Sequence, residues 1–175
     1  MKHGYEEEYK VLLTKEEFET LCNCFPTLHF VTQTNHYYNT DSSNISLRVR
    51  DIEDKQIFTC KIHTDKGLEE IIVPFLEDIE IMDYLRKVNI TGPFTEWGQL
   101  TTERHIEIVG DHLAELCLDI NTYNGITDYE VEYEVHKEHD ALSSFQYLLS
   151  LANIPYRVNK ISKVKRCRQT IRDRD

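Results

Sequence analysis

Between Asp128 and His136 every second residue is acidic: Glu130, Glu132 and Glu134 alternate with Tyr129, Val131, Tyr133 and Val135. Side chains alternate across a strand with a period of two, so this stretch reads as a strand with one carboxylate face and one apolar face. The apolar face has to pack on a core. The acidic face meets either water or an interior where unpaired like charges are costly unless a cation or a base compensates them. Which of these holds decides what the chain does.

The same texture recurs along the sequence. At the start, Glu6, Glu8 and Lys10 share one side of an extended segment, with Tyr5, Tyr9 and Val11 on the other. Gln33 to Thr40 contains the adjacent Tyr37 and Tyr38 and leads into a turn at Asp41–Asn44. Ser46, Arg48 and Arg50 alternate with Ile45, Leu47 and Val49; Gln56–Ile62 carries Lys61, and Asp65-Lys66-Gly67 signals a hairpin before Ile71–Val73. Thr101–Val109 sets Thr102, Arg104, Ile106 and Ile108 on one face, and Leu116–Ile120 contains Asp119, ahead of a turn at Asn124-Gly125. Helical spacing interrupts the strands. Thr14 and Glu17 form a capping box before the stripe Phe18, Leu21, Cys22 and Phe25, and Pro26 follows. Glu77–Val88 has apolar residues at Ile81, Tyr84, Leu85 and Val88, and Asp140 caps a helix bearing Leu142, Phe145, Leu148, Leu149 and Ala152. Lys160 to Arg174 is basic and reads as a mobile, solvated end. About eight strands and three helices joined by short turns predict one α+β domain over 1–175, with a large antiparallel sheet and a basic tail from about 165.

Charge and cysteine usage narrow the function. A net charge of −11 argues against nucleic acid and anionic membranes as partners, since both select basic surfaces. No apolar run approaches a membrane span and the charged N-terminus lacks a signal-peptide core, so the cytoplasm is the expected compartment. Five cysteines without a C-x-x-C pair and eight scattered histidines predict reduced thiols and no zinc site.

A sheet with one wet face accounts for any single strand of this kind. Taken together the strands segregate by sign. Acids sit on the segments of Glu6 and Glu8, of Asp119, and of Glu130 to Glu134; bases sit on those of Arg48 and Arg50, of Lys61, of Arg104, and near Lys160 or Lys163. A surface shaped only for solubility intermixes signs between neighbouring strands. Segregated signs suit an interior that holds an oxygen-rich anion on bases and a hard divalent cation, Mg²⁺ or Mn²⁺, on carboxylates.

These residues resemble the CYTH, or triphosphate tunnel metalloenzyme, superfamily. Glu6-x-Glu8-x-Lys10 is similar to its E-x-E-x-K signature, Leu47–Arg50 to its second signature strand, Lys61 to the lysine of the third, and Thr101–Arg104 to the strand with a phosphate-binding arginine. Asp119 with Tyr129–Glu134 resembles the D…ExE metal-binding end, and Asn159–Lys163 the closing lysine motif. The order holds over nearly the whole chain, and the chain resembles the short, single-domain YjbK-type branch of Gram-positive bacteria. The resemblance implies an eight-stranded antiparallel β-barrel around a charged tunnel with helices packed outside. It implies hydrolysis of a triphosphate (inorganic, nucleoside or thiamine), with Lys10, Arg48, Arg50, Lys61, Arg104, Lys160 and Lys163 on phosphoryl oxygens. Glu6, Glu8, Asp119, Glu130 and Glu132 would hold the metal, and Lys61 with Tyr37 or Tyr38 would activate water. Two departures thin the basic lining: Glu69–Phe75 contains no base, and Glu103 stands where a base is common. Adenylyl cyclase activity and non-catalytic binding of polyphosphate or nucleotide are the alternatives the family leaves open.

Overall fold

The period-two segments form strands and the capped segments form helices in the computed structural model, which describes residues 2–4, 7–26, 29–64, 67–74, 78–87 and 89–172. In chain order these are β1 (Lys2–Gly4), β2 (Glu8–Leu13), α1 (Lys15–Cys22), β3 (His29–Tyr38), β4 (Ile45–Ile52), β5 (Lys55–Thr64) and β6 (Gly67–Pro74). Then follow α2 (Asp78–Lys87), β7 (Glu96–Val109), β8 (Ala114–Tyr123), β9 (Ile126–Val135), α3 (Ala141–Ser150) and α4 (Lys163–Arg172). Hydrogen bonding orders the strands β1-β6-β5-β4-β3-β7-β8-β9-β2. The chain divides into two compact units. The first holds β1 and Gln33–Leu100; the second holds β2, α1, the beginning of β3 as far as Thr32, and the chain from Thr101 onward.

The second unit is organised by β9. It pairs antiparallel with β2, setting Lys10 opposite Glu132 and Val11 opposite Val131, and with β8, setting Asp119 opposite Glu130 and Leu118 opposite Val131. One face of these strands is therefore apolar throughout. Val11, Leu13, Leu116, Leu118, Val131 and Tyr133 pack there beneath Phe18 and Leu21 of α1 and Ala141, Phe145 and Leu149 of α3. The capping box forms as its residues predict: Glu17 N–H donates to Thr14 Oγ1 (3.2 Å) and Thr14 N–H to Glu17 Oε2 (2.9 Å). Helix α1 ends at Cys22, short of Phe25, because the N–H groups of Cys24 and Phe25 bond the carbonyls of Leu21 and Cys22 in tighter turns. Between β8 and β9, Asn124 (φ 50°) and Gly125 (φ 78°) make a two-residue turn with both residues left-handed, the geometry that matches strand twist.

The C-terminal basic segment departs from expectation. It is not a solvated end: Lys163–Arg172 is a helix, Cys167 is buried, and Asn124 Nδ2 donates to Thr170 Oγ1 (2.9 Å). Lys163, Arg166, Cys167 and Thr170 fall at i, i+3, i+4 and i+7, one face of that helix, and this face carries the contacts. The described residues thus contain four helices rather than three, and a short extra strand, β1, beyond the eight expected.

In the first unit β3, β4, β5, β6 and β1 form an antiparallel meander with β1 on β6. Leu47, Phe58 and Cys60 make its core with Leu85 of α2 and Ile90. All five cysteines are free thiols. Among the described residues no helix is long and apolar enough to cross a membrane.

Phe145 is wholly buried at the centre of the larger core. Phe145→Ala is expected to lower the unfolding free energy by about 3–5 kcal/mol, read from the urea midpoint at unchanged slope.

Candidate functional site

The polar face of the second unit follows from the same register that builds its core. Glu8 lies opposite Glu134, Lys10 opposite Glu132, Asp119 opposite Glu130, and Arg104 of β7 opposite Asp119. Like charges directly opposed are unfavourable on an open sheet, and Asp119, Glu130 and Glu132 are also buried. Bases compensate them. Arg104 forks onto Asp119 through Nε (2.8 Å) and Nη2 (2.7 Å), and donates to Glu132 (2.5 Å) and Glu134 (2.8 Å). Lys163 Nζ sits among the carboxylates at 2.6 Å from Asp119, 3.1 Å from Glu132 and 3.6 Å from Glu130. Arg166, one helical turn on, binds Asp128 (2.8 Å) and Glu130 (2.8 Å), and Asn159 Nδ2 donates to Glu130 Oε2 (2.9 Å).

The two central glutamates titrate in opposite directions. Burial pushes the Glu130 carboxyl up, and the adjacent Glu132 charge adds to it, against the pull of Lys163 and Arg166; the result is about 7. Burial also opposes ionisation of Glu132, but Lys163, Arg104 and Lys10 outweigh it and hold Glu132 well below the usual carboxylate range. Lys163 is held strongly protonated: its burial cost is exceeded by the charges of Asp119 and Glu132.

Asp119, Glu130 and Glu132 each present an oxygen within 4.8 Å of the others. An all-oxygen, anionic donor set fits a hard divalent cation, and Glu130 Oε1, buried and without a hydrogen-bond partner among the described residues, has capacity for one. A second grouping, Glu115, Cys117 and Glu134, centres on a thiol that burial keeps protonated.

In the first unit the bases Arg48, Arg50 and Lys61 share one face. Arg48 and Arg50 lie opposite Tyr37 and Asn35 of β3 and opposite Thr59 and Ile57 of β5; Lys61 lies opposite Ser46 and Glu70. Arg48 Nη2 donates to Thr59 Oγ1 (3.0 Å) and Arg50 Nε to Asn35 Oδ1 (2.8 Å). Strand parity now separates the adjacent tyrosines. Tyr37 shares the arginine face, buried and stacked on Trp97 at 5.3 Å, whereas Tyr38 packs against the apolar cluster of Leu47 and Phe58. Strand β4 lies between Tyr37 and Lys61.

The predicted residues thus divide into placed groups. Asp119, Glu130, Glu132, Arg104, Lys163 and Lys10 gather on one face, with Lys10 bonded to Glu8 at its exposed end. Lys160 is exposed in the loop before α4. Glu6 lies outside the described residues. Arg166, Asp128 and Asn159 were not anticipated. The helical spacing of Lys163 and Arg166 was the signal that could have found the first of these.

Comparison with known proteins bears on this arrangement. The family model described as the CYTH domain matches residues 4–167. YjbK of Bacillus subtilis (strain 168), provisionally named a triphosphatase, is 30% identical over 178 residues, 91% of this chain and 93% of that protein. A solved structure from Bacillus halodurans, provisionally named an adenylate cyclase, superposes with a TM-score of 0.77 at 31% identity, covering 95% of this chain and 98% of that one. A Hippeastrum protein, provisionally an adenylyl cyclase and described as having a dominant triphosphatase activity, superposes at 0.74 with 19% identity over 95% and 96% of the chains, a likeness of fold.

Removing Arg104 leaves the Asp119 and Glu132 charges short of a partner inside the protein. Arg104→Met is expected to cost about 3–5 kcal/mol of stability in urea unfolding; a loss below about 1 kcal/mol means that these carboxylates are solvated.

Proposed function

Because the chain belongs to the CYTH domain family and shares its antiparallel triphosphate-tunnel fold, we propose that it hydrolyses a triphosphate, inorganic triphosphate or a nucleoside or thiamine triphosphate, with the help of Mg²⁺ or Mn²⁺. The observation that carries this reading is the buried trio Asp119, Glu130 and Glu132, an all-oxygen donor set. The triphosphatase name of the Bacillus subtilis relative supports it.

The roles follow from the chemistry of each side chain. Asp119, Glu130 and Glu132, with Glu6 and Glu8, would hold the cation, which supplies charge neutralisation of phosphoryl oxygens and a more acidic water. Arg48 and Arg50 offer guanidinium forks suited to two oxygens at once, and Lys10, Lys61 and Lys160 offer point charges. Arg104 and Lys163 neutralise the carboxylates here, and would be available to phosphoryl oxygens if a cation took over that role. Lys61, with Tyr37 on the arginine face, is the candidate for orienting and deprotonating water; Tyr38 sits on the apolar side. Phosphoryl transfer needs positioning and charge neutralisation more than covalent chemistry, so these groups suffice.

Adenylyl cyclase activity is the second reading, favoured by the name of the Bacillus halodurans protein. Binding without turnover is the third, favoured by the absence of a base in Glu69–Phe75 and by Glu103. Incubation with tripolyphosphate or ATP in Mg²⁺ or Mn²⁺, following orthophosphate, pyrophosphate and cyclic AMP, separates them. Orthophosphate release supports hydrolysis, cyclic AMP the cyclase, and binding without product the sensor.

Glu132→Gln is expected to lower metal-dependent turnover at least about 100-fold with the fold retained by circular dichroism; unchanged turnover removes Glu132 from the site. Metal affinity is also expected to depend on pH. With its pKa pushed up to about 7, Glu130 binds more protons folded than unfolded. Its ionisation therefore subtracts stability as pH rises from the ordinary glutamate range through 7, and a cation that takes the carboxylate must displace the proton. Calorimetric Mn²⁺ affinity is expected to fall about tenfold per pH unit below 7, with one proton released on binding. Affinity that is flat with pH across this range excludes Glu130 as a ligand.

A further inference from the structure

The face that carries Arg48 and Arg50 in the first unit also carries buried neutral groups. Gln33, Asn35 and Tyr37 alternate along β3, so all three project to the side of Arg48 and Arg50, and they are 2%, 0% and 4% exposed. The orientation of the Asn35 amide is set by chemistry. A guanidinium only donates, so Arg50 Nε, at 2.8 Å, requires Oδ1 on its side and turns Nδ2 away. Asn35 Nδ2 is buried and has no hydrogen-bond partner among the described residues, and the same holds for Gln33 Nε2 and for Arg48 Nε. Arg48 is itself anchored through Nη2 to Thr59 Oγ1 at 3.0 Å.

Buried polar groups in native proteins almost always find partners, and an exception calls for an explanation. All three exceptions here are donors. They belong to neighbouring positions on two paired strands, and two of them are held by bonds made by another atom of the same side chain. A nucleobase edge or a peptide presents donors and acceptors together and would leave one kind unmatched. A phosphate chain presents acceptors only.

We propose that Gln33 and Asn35 are ligands of the polyphosphate, donating their amide N–H groups to phosphoryl oxygens beside Arg48. This deepens the triphosphate reading and rests on it. With no base in Glu69–Phe75, neutral donors bind the anion's oxygens without adding charge beside the half-buried guanidinium groups of Arg48 and Arg50.

The test uses the full chain, metal-free, with inorganic tripolyphosphate as probe. Asn35→Asp keeps the shape and the Arg50 contact but replaces the donor with a carboxylate oxygen; calorimetric affinity is expected to fall about 10–100-fold. Gln33→Met removes a buried donor without a partner, so the unliganded melting temperature is expected to hold or rise while the gain produced by tripolyphosphate shrinks. A Gln33→Met chain that melts lower and keeps the full gain, or an Asn35→Asp chain that binds as tightly as wild type, overturns the assignment and leaves the triphosphatase reading intact. Wild type that binds tripolyphosphate through these amides yet releases no orthophosphate with Mg²⁺ or Mn²⁺ ends the triphosphatase reading and supports the ligands. Wild type that tripolyphosphate neither binds nor stabilises overturns both.

Discussion

Three carboxylates stand buried within 4.8 Å of one another in the second unit, and the rest of that unit is arranged so that they can. Left alone they would neutralise themselves by taking up protons, because moving an ion out of water costs several kcal/mol even after relaxation. Glu130 goes part of that way. Glu132 stays charged because Lys163, Arg104 and Lys10 outweigh its burial, and Asp119 is paired with Arg104 and Lys163, which reach the cluster from β7 and from α4. The price is conformational: α4 has to dock, and Asn124 and Asn159 help to hold it and its approach in place. A core of leucines on the same face would be at least as stable, so stability does not explain the cluster.

The two units differ in what they leave over. In the second, Glu130 Oε1 is buried without a hydrogen-bond partner among the described residues. In the first, donors are in excess, on Arg48, Asn35 and Gln33. Each imbalance is unfavourable in isolation; in general a hard cation offsets the first kind and an oxyanion the second. Membership of the CYTH domain family is in keeping with that chemistry, and the chemistry is present in the residues independently of the family.

Much of this was legible before any coordinates. The strand parity of Glu130, Glu132, Val131 and Tyr133 sorts charged from apolar faces with no further information, and the capping box at Thr14 and Glu17 is local enough to read directly. Other features resisted for identifiable reasons. Parity by itself cannot choose between Tyr37 and Tyr38, since adjacent residues always point to opposite sides; the choice waited for the register of β3 on β4. The basic end was mistaken for a solvated tail because its composition is polar, although its ion pairs lie more than thirty residues away in sequence, between Arg166 and Asp128 or Glu130. Nothing in the sequence marks Gln33 and Asn35, because a neutral amide carries no charge signal; burial alone leaves their amide nitrogens without partners among the described residues.

Alternation along each segment settled which side chains travel together on a face, because the two-residue repeat is a property of the backbone. Which faces are dry, which base neutralises which acid, and where an amide must turn its hydrogens were left to tertiary structure. Those outcomes depend on contacts between residues far apart in the chain, and on the removal of water that would otherwise have satisfied every group separately.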